Sequence, residues 1–165
     1  MNLFLSGFIK FADDDIRRRV DVFLYNKDGK ILVGKTHENG KTIYTPPGGG
    51  IDEGESFSEA AHREALEEIG ISSQNFENIN DLYNIRKPLF FSDKHRKDSE
   101  TTFMFGKADI KDNSLFNREG DGMKSKYWIS PNTLKQYYGK MISSDPHYSD
   151  LYKQRIEALN KITKG

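Results

Sequence analysis

The sequence contains no cysteine. Disulfides, thiolate metal sites and a cysteine nucleophile are therefore excluded. Excess charge is also missing: 25 Lys and Arg balance 25 Asp and Glu. Broad nucleic-acid or membrane binding rests on clustered basic charge, so no DNA-binding footprint is expected. Long apolar runs are absent too. The start, Met1-Asn2-Leu3-Phe4-Leu5-Ser6-Gly7, has a few apolar residues but neither a basic leader nor a long apolar core. Nothing approaches membrane-spanning length. The expectation is a cytoplasmic protein with no membrane partner.

What is present suffices for one core. A chain of 165 residues fits a single domain, 1–165, better than two. At 30% charged and 35% hydrophobic it is polar for a globular protein, but 11 Phe and 8 Tyr supply large core-fillers. No repeat, low-complexity tract or linker interrupts it.

Patterning along the chain predicts a mixed α/β architecture. Residues 3–11 alternate loosely and read as an edge strand, and Asp13-Asp14-Asp15 as a turn. Arg18–Tyr25 and Ile31-Leu32-Val33 read as strands joined by Asn26-Lys27-Asp28-Gly29, hence a hairpin. Thr42–Thr45 is a short strand that enters Pro46-Pro47-Gly48-Gly49-Gly50. This is expected to be a loop, because proline does not continue a central strand and glycine permits unusual backbone shapes. Ser56 and Glu59 form a capping-box pattern, Gly70 suits a helix end, and Phe57, Ala61, Ala65 and Ile69 form the buried stripe between them. Strands are predicted near 78–86, at 101–109 with Phe103 and Phe105 on one face, and at Tyr127-Trp128-Ile129. Ser130-Pro131 opens a short helix, and Tyr148–Lys161 closes the chain as another.

The chemistry is concentrated in Gly49 to Ile71. A helix there puts Glu64, Glu67 and Glu68 at i, i+3 and i+4, within an arc of roughly 100°. Like charges so placed repel by about a few tenths of a kcal/mol per pair, a cost that a hard cation converts into binding. Oxygen-only ligands favour Mg²⁺ or Mn²⁺ over zinc. The bland alternative is a solvated glutamate-rich face. Arg63 also reads as an ordinary i, i+4 partner of Glu67, and Glu55 as a surface acid favoured near a helix start.

The run Gly49, Glu55, Arg63, Glu64, Glu67, Glu68, Gly70 resembles the Nudix box at every fixed position. The box is a Gly, five residues, Glu, seven residues, Arg-Glu, an aliphatic, any residue, Glu-Glu, any residue, Gly and an aliphatic. Ala65 stands where a larger aliphatic is usual, and Pro47-Gly48 matches the family's approach to the box. The resemblance covers 23 residues directly. It implies a Nudix-type α/β/α sandwich with a mixed sheet and a loop–helix–loop motif that cradles metal and diphosphate.

It further implies a hydrolase acting on the diphosphate linkage of a nucleotide substrate: a nucleotide sugar, ADP-ribose, a dinucleoside polyphosphate or a nucleoside triphosphate. Mg²⁺ or Mn²⁺ would be held by Glu64, Glu67 and Glu68, with Arg63 orienting them and Glu55 supporting the loop. The proton acceptor is left among Glu64, Glu68 and Glu119, the last as a further acid from a loop before Trp128, with Asp121 behind it. Gly48 and Gly49 allow close backbone approach to the substrate. Lys35 and Arg86 are candidate phosphate contacts, whereas Lys94-His95-Arg96-Lys97 reads as a solvated loop. A small-molecule substrate is the expected partner, with a homodimer as the candidate assembly.

Three rival classes share the fold. A silent nucleotide-binding module typically loses box glutamates, and none is missing here. Isopentenyl-type isomerases use a cysteine, absent from this chain. GDP-mannose-type glycosyl hydrolases share the length and aromatic tail but depart from the box.

Overall fold

The computed structural model describes residues 17–38, 40–72, 76–90, 96–108 and 125–164; for 76–90 and 96–99 the backbone alone is described. The expected edge strand at 3–11, the Asp13–Asp15 turn and the loop bearing Glu119 lie outside the described residues.

The first hairpin forms for a local reason. Asn26 Oδ1 accepts the N–H groups of Asp28 and Lys30 at 3.0 and 2.9 Å, and Gly29 supplies the left-handed φ of 71° that closes the turn. This joins β1 (Arg17–Tyr25) to β2 (Ile31–Glu38). β3 (Lys41–Thr45) and β4 (Gly48–Gly50) follow, and then helix α1 (Phe57–Ile69). β5 (Phe76–Phe90), β6 (Arg96–Ala108) and β7 (Ser125–Ile129) complete the sheet. Helices α2 (Pro131–Ser144) and α3 (Ser149–Ile162) end the chain, joined by a single 3-10 turn.

The sheet runs β3-β2-β1-β6-β5, with β4 paired to β1 and β7 to β2. β1 and β6 are parallel, from Arg17 opposite Ser99 to Tyr25 opposite Lys107, and the remaining pairs are antiparallel. This is the mixed sheet expected from the sequence.

Strand alternation then divides the core in two. Val20, Val22, Leu24 and Leu32 pack with Ala60, Ala61, Ala65 and Ile69 of α1. On the opposite face Phe23, Ile31, Val33 and Phe103 pack with Leu134 and Tyr138 of α2 and with Tyr152, Ala158 and Leu159 of α3. Phe23 and Phe103 stack at 6.0 Å between centroids, and Phe105 lies against the same cluster. Small residues thus seat α1 close to the sheet, whereas aromatic bulk fills the α2/α3 layer. The result is an α/β/α sandwich. No helix among the described residues is long and apolar enough to cross a membrane.

Four expectations are corrected. β5 and β6 extend beyond the predicted 78–86 and 101–109. Among the described residues β5 is the last strand on its side of the sheet, where Pro88 costs no central hydrogen bond. Arg96 and Lys97, expected in a solvated loop, belong to β6, opposite Phe90 and Leu89. The helix after Ser130 is not short, since it runs for 14 residues behind a serine cap and a first-turn proline. Finally, Gly48–Gly50 is not a loop but a strand, paired with β1 from Asp21 opposite Gly48 to Arg19 opposite Gly50.

Candidate active site

Helix α1 starts where the sequence says it should. Ser56 Oγ accepts the Glu59 N–H at 3.2 Å and Glu59 Oε2 accepts the Ser56 N–H at 2.8 Å, a complete capping box. The Ser56 N–H, and then the Ser56 hydroxyl, hold the Glu59 carboxyl below the usual carboxylate range. The helix stops at Gly70, which is left-handed (φ 69°), and the Ile71 N–H returns to Ala65 O at 3.2 Å. The buried stripe holds Ala61, Ala65 and Ile69, with Phe57 partly buried beside them. Burial of Ile69 alone is worth about 2 kcal/mol.

Arg63 is the hub of this helix. Its Nε and Nη2 donate to both oxygens of Glu55, at 2.8 and 2.9 Å. Nη1 donates to Glu64 at 2.7 Å and Glu67 at 3.3 Å, and Nη2 also reaches Gly50 O at 2.8 Å. The bidentate bond from Arg63 holds the Glu55 carboxyl below its ordinary range against the cost of burial, helped by the Asp52 N–H. Reciprocally, Glu55 and then Glu64 hold the guanidinium charged, outweighing its partial desolvation. Glu55 is therefore part of the architecture, tying the loop after β4 to the helix.

The glycine strand has two faces and two edges, and each is used. Val22 N–H bonds to Pro47 O at 2.8 Å and Ile51 N–H to Arg18 O at 3.0 Å. Alternation then turns Gly48 N–H and Gly50 C=O to the other edge, where Glu68 accepts the first at 2.8 Å and Arg63 donates to the second. Face by face, Gly48 lies on Asp21 of β1: a Cβ there would stand 2.7 Å from Asp21 Oδ1 and overlap the Val20 carbonyl oxygen. Gly49 lies on Glu64, whose carboxylate occupies the place of its missing Cβ. None of the three glycines has a positive φ. Gly48 and Gly49 are needed for contact distance, not for unusual backbone shape, whereas a side chain at Gly50 would enter open space.

Burial and charge set Glu68 apart. Desolvation, with the neighbouring charges of Glu64 and Asp21, outweighs the Gly48 hydrogen bond and pushes its carboxyl up to about 7. Glu64 is buried outright, at 7% exposure, whereas Glu68 is half-buried. The structure thus brings Glu64 and Glu68 together against the glycine strand. Glu67 stands at the rim, 57% exposed and bonded to Arg63. No three carboxylates or imidazoles gather at metal-holding distances among the described residues. The donors, all carboxylate oxygens, are of the kind a hard divalent cation takes, and Glu67 would have to leave Arg63 to join Glu64 and Glu68.

The other sequence candidates lie elsewhere or are not described. Lys35 sits on β2 opposite Tyr44 and Ser125, with its ammonium 5.8 Å from the Tyr127 ring centroid. It shares the face of Val33, across the sheet from α1. Arg86 lies in β5 opposite Glu100, with only its backbone described. Glu119 lies outside the described residues.

Two residues at this site were missed from sequence. Asp21 is completely buried, and Arg155 of α3 bonds to it at 2.8 Å. Burial works against the Arg155 charge, but the carboxylate of Asp21 outweighs it and raises the guanidinium above its ordinary range. Both left a signal. Asp21 interrupts the apolar run Val20–Leu24, and Arg155 falls in the middle of the stripe formed by Leu151, Tyr152, Ala158 and Leu159.

A glutamate-bearing helix locked by one arginine onto a glycine strand, in an α/β/α sandwich with a mixed sheet, defines the Nudix class of hydrolases. Comparison agrees: the model of the NUDIX domain matches residues 15–151. An RNA pyrophosphohydrolase of Wolbachia pipientis subsp. Culex pipiens (strain wPip) is 30% identical over 161 residues, 93% of this chain and 94% of that one. The putative nudix hydrolase 6 of Caenorhabditis elegans is 29% identical over 150 residues, 87% of this chain and 54% of that protein. Among solved structures, a NUDIX hydrolase from Nitrosomonas europaea superposes with a TM-score of 0.62 at 20% identity, over 87% of this chain and 88% of that one. A C. elegans Ap4A hydrolase binary complex gives 0.63 at 20% identity, over 90% and 96%. The chain belongs to the Nudix family and is a Nudix-type hydrolase.

Proposed function

We propose that this chain is a pyrophosphohydrolase that cleaves a phosphoanhydride bond in a nucleotide bearing a di- or polyphosphate, with Mg²⁺ or Mn²⁺ bound by Glu64, Glu67 and Glu68. The observation that carries this reading is the packing of Glu64 and Glu68 against a glycine strand. Open space lies at Gly50, where nothing is within 4 Å of the place a Cβ would take, so phosphate oxygens can come close to the chain there. The donor set is all oxygen, which suits a hard cation.

Each residue has a defined task in this reading. Arg63 fixes Glu64 and the Gly50 carbonyl, so the carboxylates meet the phosphates in a preset geometry. Glu55 keeps Arg63 in place. A bound ion adds neutralisation of phosphate charge, without which anionic oxygens repel an incoming nucleophile. A water then attacks phosphorus in line, the P–O bridge breaks, and the proton of the water passes to a carboxylate: Glu64, Glu68 or Glu119. Arg86 is the proposed contact for outer parts of the substrate; Lys35, across the sheet from α1, is not given that role. Likeness to an RNA pyrophosphohydrolase over nearly the whole chain supports nucleotide 5′-polyphosphates, RNA 5′ ends included, as the substrate class.

The test is a panel of nucleoside triphosphates, dinucleoside polyphosphates, nucleotide sugars, ADP-ribose and 5′-triphosphorylated RNA, each with Mg²⁺ and with Mn²⁺. Products are resolved by chromatography. Release of pyrophosphate or a mononucleotide is expected only with metal. Release of free sugar would point to glycosyl transfer to water, and silence across the panel by folded, metal-binding protein would sink the proposal in favour of a binding module.

A further inference from the structure

Strand β1 carries one carboxylate inside an apolar run. Asp21, between Val20 and Val22, has no exposed surface. Its oxygens are held from two directions: Arg155 Nε donates to Oδ2 at 2.8 Å and Arg19 Nη2 to Oδ1 at 3.1 Å. Arg155 arrives from α3, is 4% exposed, and lies 5.7 Å from the Tyr138 ring centroid. A buried pair of this kind seldom adds net stability over apolar side chains of the same volume. Its value has to be sought in where it puts the carboxylate.

That place is directly under the catalytic strand. Asp21 faces Gly48 across the β1–β4 ladder, close enough that any Cβ on residue 48 would collide with it. The Gly48 N–H, in turn, is the backbone donor to Glu68. A continuous line of contacts therefore runs from the C-terminal helix to the glutamate: Arg155, Asp21, the Gly48 peptide, Glu68.

We propose that Asp21 and Arg155 are positioning residues for hydrolysis, a brace that fixes the Gly48 peptide and so aims its N–H at Glu68. Neither touches substrate. Arg155 supplies the charge that balances Asp21 and the bond that holds it in place in the core, and Asp21 supplies the floor that a shorter or mobile side chain would not. The inference rests on the proposed reaction only for its kinetic half, because the state of the Gly48 N–H is measurable without substrate.

The experiment combines amide hydrogen exchange at Gly48 with steady-state kinetics, for four variants: Arg155→Met, Arg155→Lys, the neutral hydrogen-bonding pair Asp21→Asn with Arg155→Gln, and the stability control Leu159→Ala. In Arg155→Met, Gly48 exchange is expected to accelerate tenfold or more relative to Val33 in the β2–β7 ladder, on the order of the loss of one local protection contact. On any active substrate kcat should fall roughly 10- to 100-fold while KM stays within about threefold, the signature of misplaced chemistry and not of lost binding. Arg155→Lys should recover part of both readouts and the neutral pair most of both. Leu159→Ala should lower the melting temperature and leave the ratio of Gly48 to Val33 exchange unchanged. The brace is refuted if the Arg155 variants lose stability like the control but keep that exchange ratio, or if kcat falls with the ratio intact. If Arg155→Met does not fold, Arg155→Lys and the neutral pair decide by the same criteria. Absence of hydrolysis by the parent would count against the proposed reaction, and the exchange ratio alone would then decide whether the brace exists.

Discussion

Arg63 and Arg155 approach the same short strand from opposite sides of the sheet, and they work in opposite ways. Arg63 spreads five hydrogen bonds over Glu55, Glu64, Glu67 and Gly50 and keeps 26% of its side chain exposed. Arg155 directs one short bond at one carboxylate in a place closed to water. The first arrangement can be reshuffled, since Glu67 or water takes over a lost contact. The second cannot, because among the described residues only Arg19 shares the task of balancing Asp21. Under the proposed reaction, a site that admits a cation and releases a product needs the first kind of arginine at its mouth and the second kind beneath its floor.

Exchanging each arginine for methionine tests this contrast most directly. Arg155→Met leaves a carboxylate stranded in the core and should cost about 3–5 kcal/mol, read as a large fall in melting temperature or denaturant midpoint. Arg63→Met should cost less, about 1–2 kcal/mol, because water enters where the exposed guanidinium stood and screens the carboxylates it leaves. Equal losses would erase the distinction between the two.

An effect on stability below that of Arg155→Met, with a larger one on turnover, is expected for Gly49→Ala. The new methyl group overlaps the Glu64 carboxylate and should cost about 1–3 kcal/mol as that side chain is displaced. Turnover should fall by far more than the loss of folded protein explains. Normal rates in Gly49→Ala would show that the seating of Glu64 is immaterial.

The smallest effect carries the most telling sign. Native Glu68 takes up its proton near pH 7, the unfolded side chain near 4.5. Between those values the folded metal-free protein binds more protons than the unfolded one, so stability should fall as pH rises through that window and level off above it. Glu68→Gln should flatten this slope. At neutral pH without metal it should match the parent or exceed it by about a few tenths of a kcal/mol, since one of two crowded charges is gone. Added Mg²⁺ should raise the melting temperature of the parent more than that of the variant. Thermal melts from pH 4.5 to 8, with and without Mg²⁺, read all three quantities.

The helix α1 was legible in the sequence almost to the residue, because its determinants are local: a serine and a glutamate three apart, a terminal glycine and a four-residue stripe. The first hairpin was legible for the same reason. The β1–β6 parallel pairing was not, since it joins segments some 80 residues apart through backbone bonds that no side-chain pattern announces. Gly48–Gly50 was misread as a loop because glycine was credited with backbone freedom, whereas here it supplies clearance. The box glutamates were found as a group, but their division into a buried Glu64, a half-buried Glu68 and an exposed Glu67 depends on what β4 and Arg63 do to them. Asp21 and Arg155 were readable only as anomalies, a charge in an apolar strand and a charge in an apolar stripe, whose meaning required seeing that the two meet.

The two-faced glycine strand also constrains how this protein can change in length. Alternation gives β4 a phase: residue 48 looks towards Asp21 and residue 49 towards Glu64. Removing or inserting one residue between Pro47 and Gly50 would exchange those directions and present each carboxylate with the wrong peptide. Indels in this segment are therefore tolerable only in pairs, and even a pair shifts the N–H that meets Glu68.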